Sequence, residues 1–99
     1  MILVRPGLMQ PRITGDSTVD GGGILNLTCD AESQPPAKVT WTLVGSDTVL
    51  VTGLQTASLF IPEVTPEHSG NYSCTATHLN ETKTAFITVF VNSKYSTLH

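Results

Sequence analysis

Charge is what this sequence has least of. Only 13% of its 99 residues are Asp, Glu, Lys or Arg, and five basic against eight acidic side chains leave a net charge of −3. Soluble domains usually carry about 25% charged residues, so something else must keep this surface in water. Without a basic excess there is no stripe to meet a phosphate backbone, and nucleic-acid binding is set aside. No apolar run approaches the roughly 18 residues of a membrane-crossing helix, so no direct membrane insertion is expected of this fragment. The opening Met1-Ile2-Leu3-Val4 is too short for the core of a secretion signal. For an exported protein, the signal would lie outside the fragment.

Cysteine is scarce too, and neither Cys29 nor Cys74 has a cysteine neighbour. His68, His78 and His99 do not complete a metal-binding spacing with them, and Asp16, Asp20, Asp30 and Asp47 lack the regularity of a calcium loop. No metal or other cofactor is therefore expected. The natural use of two lone cysteines is one long-range disulfide in an oxidising compartment, with paired but reduced core thiols as the alternative.

What the sequence has is alternation. Leu25, Leu27 and Cys29 alternate with Asn26 and Thr28; Val39, Trp41 and Leu43 with Thr40 and Thr42; Leu59 and Ile61 flank Phe60. Tyr72, Cys74 and Ala76 alternate with Ser73 and Thr75, and Ile87, Val89 and Val91 with Thr88 and Phe90. Period two over short runs predicts strands with one buried face. Gly21-Gly22-Gly23, Gln34-Pro35-Pro36, Gly45-Ser46-Asp47 and Leu79-Asn80-Glu81 separate the runs, and a 3₁₀ turn is expected near Pro66-Glu67-His68. Residues 1–10 read as a start and linker, 11–91 as one domain, and 92–99 as linker or tail. About seven short strands and one long-range disulfide argue for an all-β sandwich, although pattern alone leaves a barrel open.

Cys29, Trp41 twelve residues later, and the string Gly70-x-Tyr72-x-Cys74 resemble the signature of the immunoglobulin superfamily. The resemblance implies a Greek-key sandwich of two antiparallel sheets, with Cys29 and Cys74 bridging them and Trp41 against the bridge. It also implies that the Tyr72 hydroxyl turns back to the backbone of the corner before it. The short span between the cysteines leaves no room for two extra strands. That looks like the C2 set, sheet A-B-E against sheet G-F-C-C′, as in membrane-proximal modules of CEACAM-like and Siglec-like receptors. His68 departs from the Asp usual at that point of the signature. Strand-F residues Asn71–His78 include no arginine of the kind sialic-acid-binding members use.

Three Asn-x-Ser/Thr sequons, at Asn26, Asn71 and Asn80, read as N-glycosylation sites. Asn26 and Asn71 have outward parity and Asn80 falls in a turn, and N-linked sugar would account for the weakly charged surface. Phe86 and Phe90 share the outer face of the last strand, a candidate contact for a protein partner. Glycans at Asn71 and Asn80 are expected to crowd the two ends of that sheet and leave its middle open. His68-Ser69 is no hydrolase site: no nucleophile elbow or facing base accompanies it. The resemblance thus implies a non-catalytic recognition or spacer module of a cell-surface adhesion or immune-type receptor. Such a module would bind a cell-surface or secreted protein, another immunoglobulin domain, or a second copy of itself. The alternatives are an I-set module of an intracellular muscle-type array and a secreted ligand or decoy.

Overall fold

In a computed structural model, residues 8–33 and 35–92 are described, and they form eight strands. These are β1 (Arg12–Thr14), β2 (Thr18–Asp20), β3 (Leu25–Asp30), β4 (Lys38–Leu43), β5 (Val49–Leu54), β6 (Thr56–Ile61), β7 (Gly70–His78) and β8 (Glu81–Asn92). A 3₁₀ turn at Pro66–His68 links β6 to β7. The expected linker residues 1–7, Gln34 and the expected tail residues 93–99 lie outside the described residues.

Alternation builds the core directly. Each strand sends every second side chain inward, and the inward set is apolar. Leu25, Leu27, Val39, Trp41, Leu59, Val64, Ala76, Val89 and Val91 are buried between the two sheets. One sheet has the order β1-β3-β6 and the other β2-β8-β7-β4-β5. The chain crosses between the layers from β1 to β2, from β2 to β3, from β3 to β4, from β5 to β6 and from β6 to β7, giving the Greek-key sandwich.

The second sheet carries one strand more than the expected G-F-C-C′ set. The first edge of the fold is split: β1 runs antiparallel to β3, and β2 then runs parallel to β8, pairing Thr18 with Phe90. Gly15 makes the transfer possible. It sits at φ 121, and a Cβ there would collide with the Asn26 carbonyl oxygen.

At the opposite edge, β5 turns into β6 with no D strand between them. Gln55 takes φ 69 at this corner. Its N–H donates to the Ala37 carbonyl at 2.7 Å and its carbonyl accepts from Ala31 N–H at 2.9 Å. Two backbone hydrogen bonds hold a conformation that a side chain rarely adopts.

The packed unit also begins earlier than residue 11. Leu8 is 2% exposed and belongs to the core, and its N–H donates to Glu81 Oε1 at 2.8 Å. The segment expected to be linker thus closes one end of the sandwich from Leu8 onward.

Candidate functional site

The bridge comes first because it fixes everything else. Cys29 on β3 and Cys74 on β7 form a disulfide across the two sheets, with Cα atoms 6.6 Å apart and both side chains fully buried. Trp41 pairs in register with Cys74 and is itself fully buried, and its indole Nε1–H donates to the Ala57 carbonyl at 2.9 Å. A buried indole N–H needs such an acceptor. This one ties β4 in one sheet to β6 in the other.

Gly70 opens β7 and Tyr72 follows it. The Tyr72 hydroxyl donates to the His68 carbonyl at 2.6 Å, which fastens the 3₁₀ corner to the sheet. Burial pushes the Tyr72 pKa above its ordinary value of 10.0.

His68, where the signature usually has Asp, serves the same corner. Its Nδ1 accepts from Thr65 N–H at 2.9 Å, an acceptor role open to carboxylate and neutral imidazole alike. The hydroxyl of Ser69 accepts from Val91 N–H at 2.9 Å. Both residues are thus engaged by backbone rather than by each other. His78 is half-buried, and its Nε2 is enclosed with no hydrogen-bond partner among the described residues. It pairs in register with Glu81, the residue whose Oε1 accepts from Leu8 N–H. Among the described residues, no three His, Cys, Asp or Glu side chains come together as a metal site, and no helix is long and apolar enough to cross a membrane.

The three sequon asparagines are all exposed. Asn26 stands on the outer face of β3, opposite Phe60 of β6. Asn71 stands on the outer face of β7, opposite Thr88, whose hydroxyl donates to Asn71 Oδ1 at 2.6 Å. Asn80 lies in the turn between β7 and β8, beside Leu79, which is 80% exposed at φ 55.

Phe86 and Phe90 both point outward, 69% and 55% exposed. They share the five-stranded face with Asn71, but not as expected. Phe86 and Phe90 flank Thr88 on β8, so Asn71 lies between the two rings in register rather than beyond one end of the patch. A sugar on Asn71 would stand over the phenylalanines. The rest of this face is almost uncharged. Thr40, Thr42, Ser73, Thr75 and Thr84 line its middle, with hydroxyl pairs Thr42–Ser73 at 2.7 Å and Thr75–Thr84 at 3.1 Å. Val49, Leu50 and Leu54 add exposed apolar surface on the edge strand β5.

Sequence reasoning missed Phe60 as a surface feature, although its parity between Leu59 and Ile61 already turned it outward. It also missed Leu79, which no periodicity marks. A shallow recess lined by Met9, Arg12, Asp30, Glu32 and Gln55 mixes both signs of charge.

The bridged cysteines, the Trp41 against them and the tyrosine corner agree with comparison to known proteins: the immunoglobulin domain family matches residues 10–78. The chain belongs to that family. Among curated relatives, the bovine (Bos taurus) advanced glycosylation end product-specific receptor is 46% identical over 57 residues, covering 58% of this chain and 13% of the receptor. The human (Homo sapiens) receptor is 37% identical over the same length. The chain therefore spans about an eighth of the length of these relatives. Among solved structures, an amphioxus IgVJ-C2 molecule superposes with a TM-score of 0.66 at 32% identity, covering 84% of this chain and 45% of that one. Titin domains Z1Z2, in complex with telethonin, give a TM-score of 0.71 at 24% identity, covering 95% of this chain and 51% of that one. The titin likeness is one of fold alone.

Proposed function

We propose that this immunoglobulin domain is an extracellular recognition or spacer module of a cell-surface adhesion or immune-type receptor. It meets a protein partner through the outer face of its five-stranded sheet and bears N-linked glycan at one or more of Asn26, Asn71 and Asn80. The observation that carries the reading is the fully buried Cys29–Cys74 bridge in a chain similar to one stretch of a receptor. Disulfides persist in oxidising compartments, and a bridged immunoglobulin domain belongs outside the cell.

The partner surface is argued from Phe86 and Phe90. Exposed aromatics beside a nearly uncharged, hydroxyl-rich face match the core of a protein interface, where charge is depleted and aromatic side chains are enriched. The partner class is a cell-surface or secreted protein, which includes another immunoglobulin domain. Because Asn71 lies between the two rings, a glycan there and a protein partner compete for the same face.

The test is a binding screen with the receptor ectodomain, repeated with Phe86→Ser and with Asn71→Gln. Both side chains are exposed, so the variants fold. Phe86→Ser weakens binding at least tenfold if the ring is a central contact, which corresponds to about 1.4 kcal/mol. Asn71→Gln strengthens binding where the sequon is occupied. Partner affinity unchanged by Phe86→Ser rules the face out. Free thiols at Cys29 and Cys74 in protein from its natural source rule the extracellular reading out.

A further inference from the structure

Phenylalanine is among the residues most often buried, yet all three in this chain lie outside the core: Phe60 is 56%, Phe86 69% and Phe90 55% exposed. Two of them share the five-stranded face proposed for a partner. Phe60 does not. It stands on the opposite layer, on an outer face otherwise built from polar side chains such as Thr14, Thr28, Thr56 and Ser58. Thr28 and Ser58 are joined there by a hydroxyl pair at 3.0 Å. Its register partner is Asn26, the asparagine of the sequon Asn26-Leu27-Thr28.

We propose that Asn26 carries an N-linked glycan whose first N-acetylglucosamine packs on the ring of Phe60. Directly opposed residues of an antiparallel pair have Cβ atoms about 5 Å apart, so the amide nitrogen and the aromatic ring rise side by side from one spot on the sheet. A pyranose presents axial C–H groups on its faces, and the electron-rich face of an aromatic ring receives them. The tether supplies the occupant, since a sugar bonded to Asn26 is held at high effective concentration over Phe60. The attachment forms a bond from Asn26 Nδ2 to the anomeric carbon of N-acetylglucosamine. It breaks that carbon's bond to the pyrophosphate of a lipid-linked oligosaccharide donor and releases one amide proton, with nothing oxidised or reduced.

This inference rests on the glycoprotein reading above and assigns it a site and a seat. It gives the two layers different roles. Sugar sits on the three-stranded sheet, whose edge strand β6 has no further strand beside it among the described residues, and the five-stranded face is left for protein contact.

The experiment uses the 99-residue chain carrying Asn71→Gln and Asn80→Gln, secreted from eukaryotic cells behind a heterologous leader and trimmed enzymatically to a single N-acetylglucosamine. Melting temperature is compared with and without the sugar, in the Phe60 chain and in Phe60→Ser. The sugar raises the melting temperature of the Phe60 chain by about 4 °C and leaves that of Phe60→Ser unchanged. In the Phe60 chain alone, the sugar's protons move upfield under the ring current of the aromatic. Equal gains in both chains, or sugar protons without that shift, overturn the seat and leave the glycoprotein reading standing. Peptide mapping that finds Asn26 unoccupied overturns both at this position.

Discussion

Breaking the Cys29–Cys74 bridge is the perturbation with the largest expected consequence, and its size follows from the chain. The bonded residues are 45 apart in sequence. In the chain-entropy account, a cross-link closing a loop of that length withdraws about 13 cal/mol/K from the unfolded ensemble, or about 4 kcal/mol at 25 °C. A domain of this size holds roughly 5–15 kcal/mol of net stability, so the bridge supplies between a quarter and most of it. Reduction leaves two thiols in the same buried positions, where they pack as small apolar groups. The native core therefore loses little, and the effect is chiefly one on the unfolded chain. Two signatures follow. The melting temperature falls by roughly 15–30 °C, and the denaturant slope rises because the uncross-linked chain exposes more surface on unfolding.

Trp41, the only tryptophan, reports this without added labels, because it packs at the bridge. Urea titrations of oxidised and reduced protein, followed by Trp41 fluorescence, give both quantities at once. A reduced chain whose midpoint and slope match those of the oxidised form would refute the loop-closure argument. It would mean that sheet packing alone carries the fold.

Other substitutions test other joints of the sandwich. Tyr72→Phe removes the hydroxyl that donates to the His68 carbonyl and lowers stability by about 1 kcal/mol at neutral pH, measured by chemical denaturation. The same variant tests pH dependence. The folded-state pKa of Tyr72 lies above 10.0, so at alkaline pH the native state keeps a proton that the unfolded state has released. Its stabilising contribution is full below about pH 10 and lost as pH rises through the folded value. That component of alkaline destabilisation is absent from Tyr72→Phe. Trp41→Phe leaves the Ala57 carbonyl without its indole donor and removes ring volume, a loss of about 2–4 kcal/mol seen in thermal melts. Leu8→Ala costs about 2–3 kcal/mol, because Leu8 is a core residue; a change under about 0.5 kcal/mol would return this segment to the status of linker.

Much of this fold was legible in the sequence because a strand's period is two. Once Leu25, Leu27 and Cys29 are set inward, the outward positions of Asn26 and Thr28 follow without further information, and the same holds for Phe86 and Phe90 against Val89 and Val91. The cysteines, Trp41 and Tyr72 then fix which strands lie back to back. What could not be read is what periodicity does not encode. The transfer from β1 to β2 depends on a backbone collision at Gly15, and the left-handed turn from β5 into β6 is held by two backbone hydrogen bonds at Gln55. Leu8 stands in a stretch too short to show a pattern; its side chain joins the core, and its N–H bonds to Glu81, 73 residues away in sequence. Cross-strand register was likewise invisible. Parity put Asn71 on the same face as Phe86 and Phe90, but only pairing with Thr88 shows that it stands between them.

That register turns a description of the surface into a choice. An N-glycan on Asn71 and a protein on Phe86 and Phe90 would require the same few square nanometres, whereas the glycan proposed on Asn26 would meet Phe60 on the far layer and obstruct neither. On the proposed reading, occupancy at Asn71 would therefore set whether the five-stranded face is open. If the module recognises protein there, the glycosylated and unglycosylated forms of this single site should bind with different affinities while melting at similar temperatures. If the module only spaces its neighbours, affinity should not depend on Asn71, Phe86 or Phe90, and the exposed rings serve the sugar alone. Comparing partner affinity between Asn71→Gln and the glycosylated chain, both with Asn26 occupied, separates the two. Greater affinity in Asn71→Gln supports a contact face, and equal affinity refutes it.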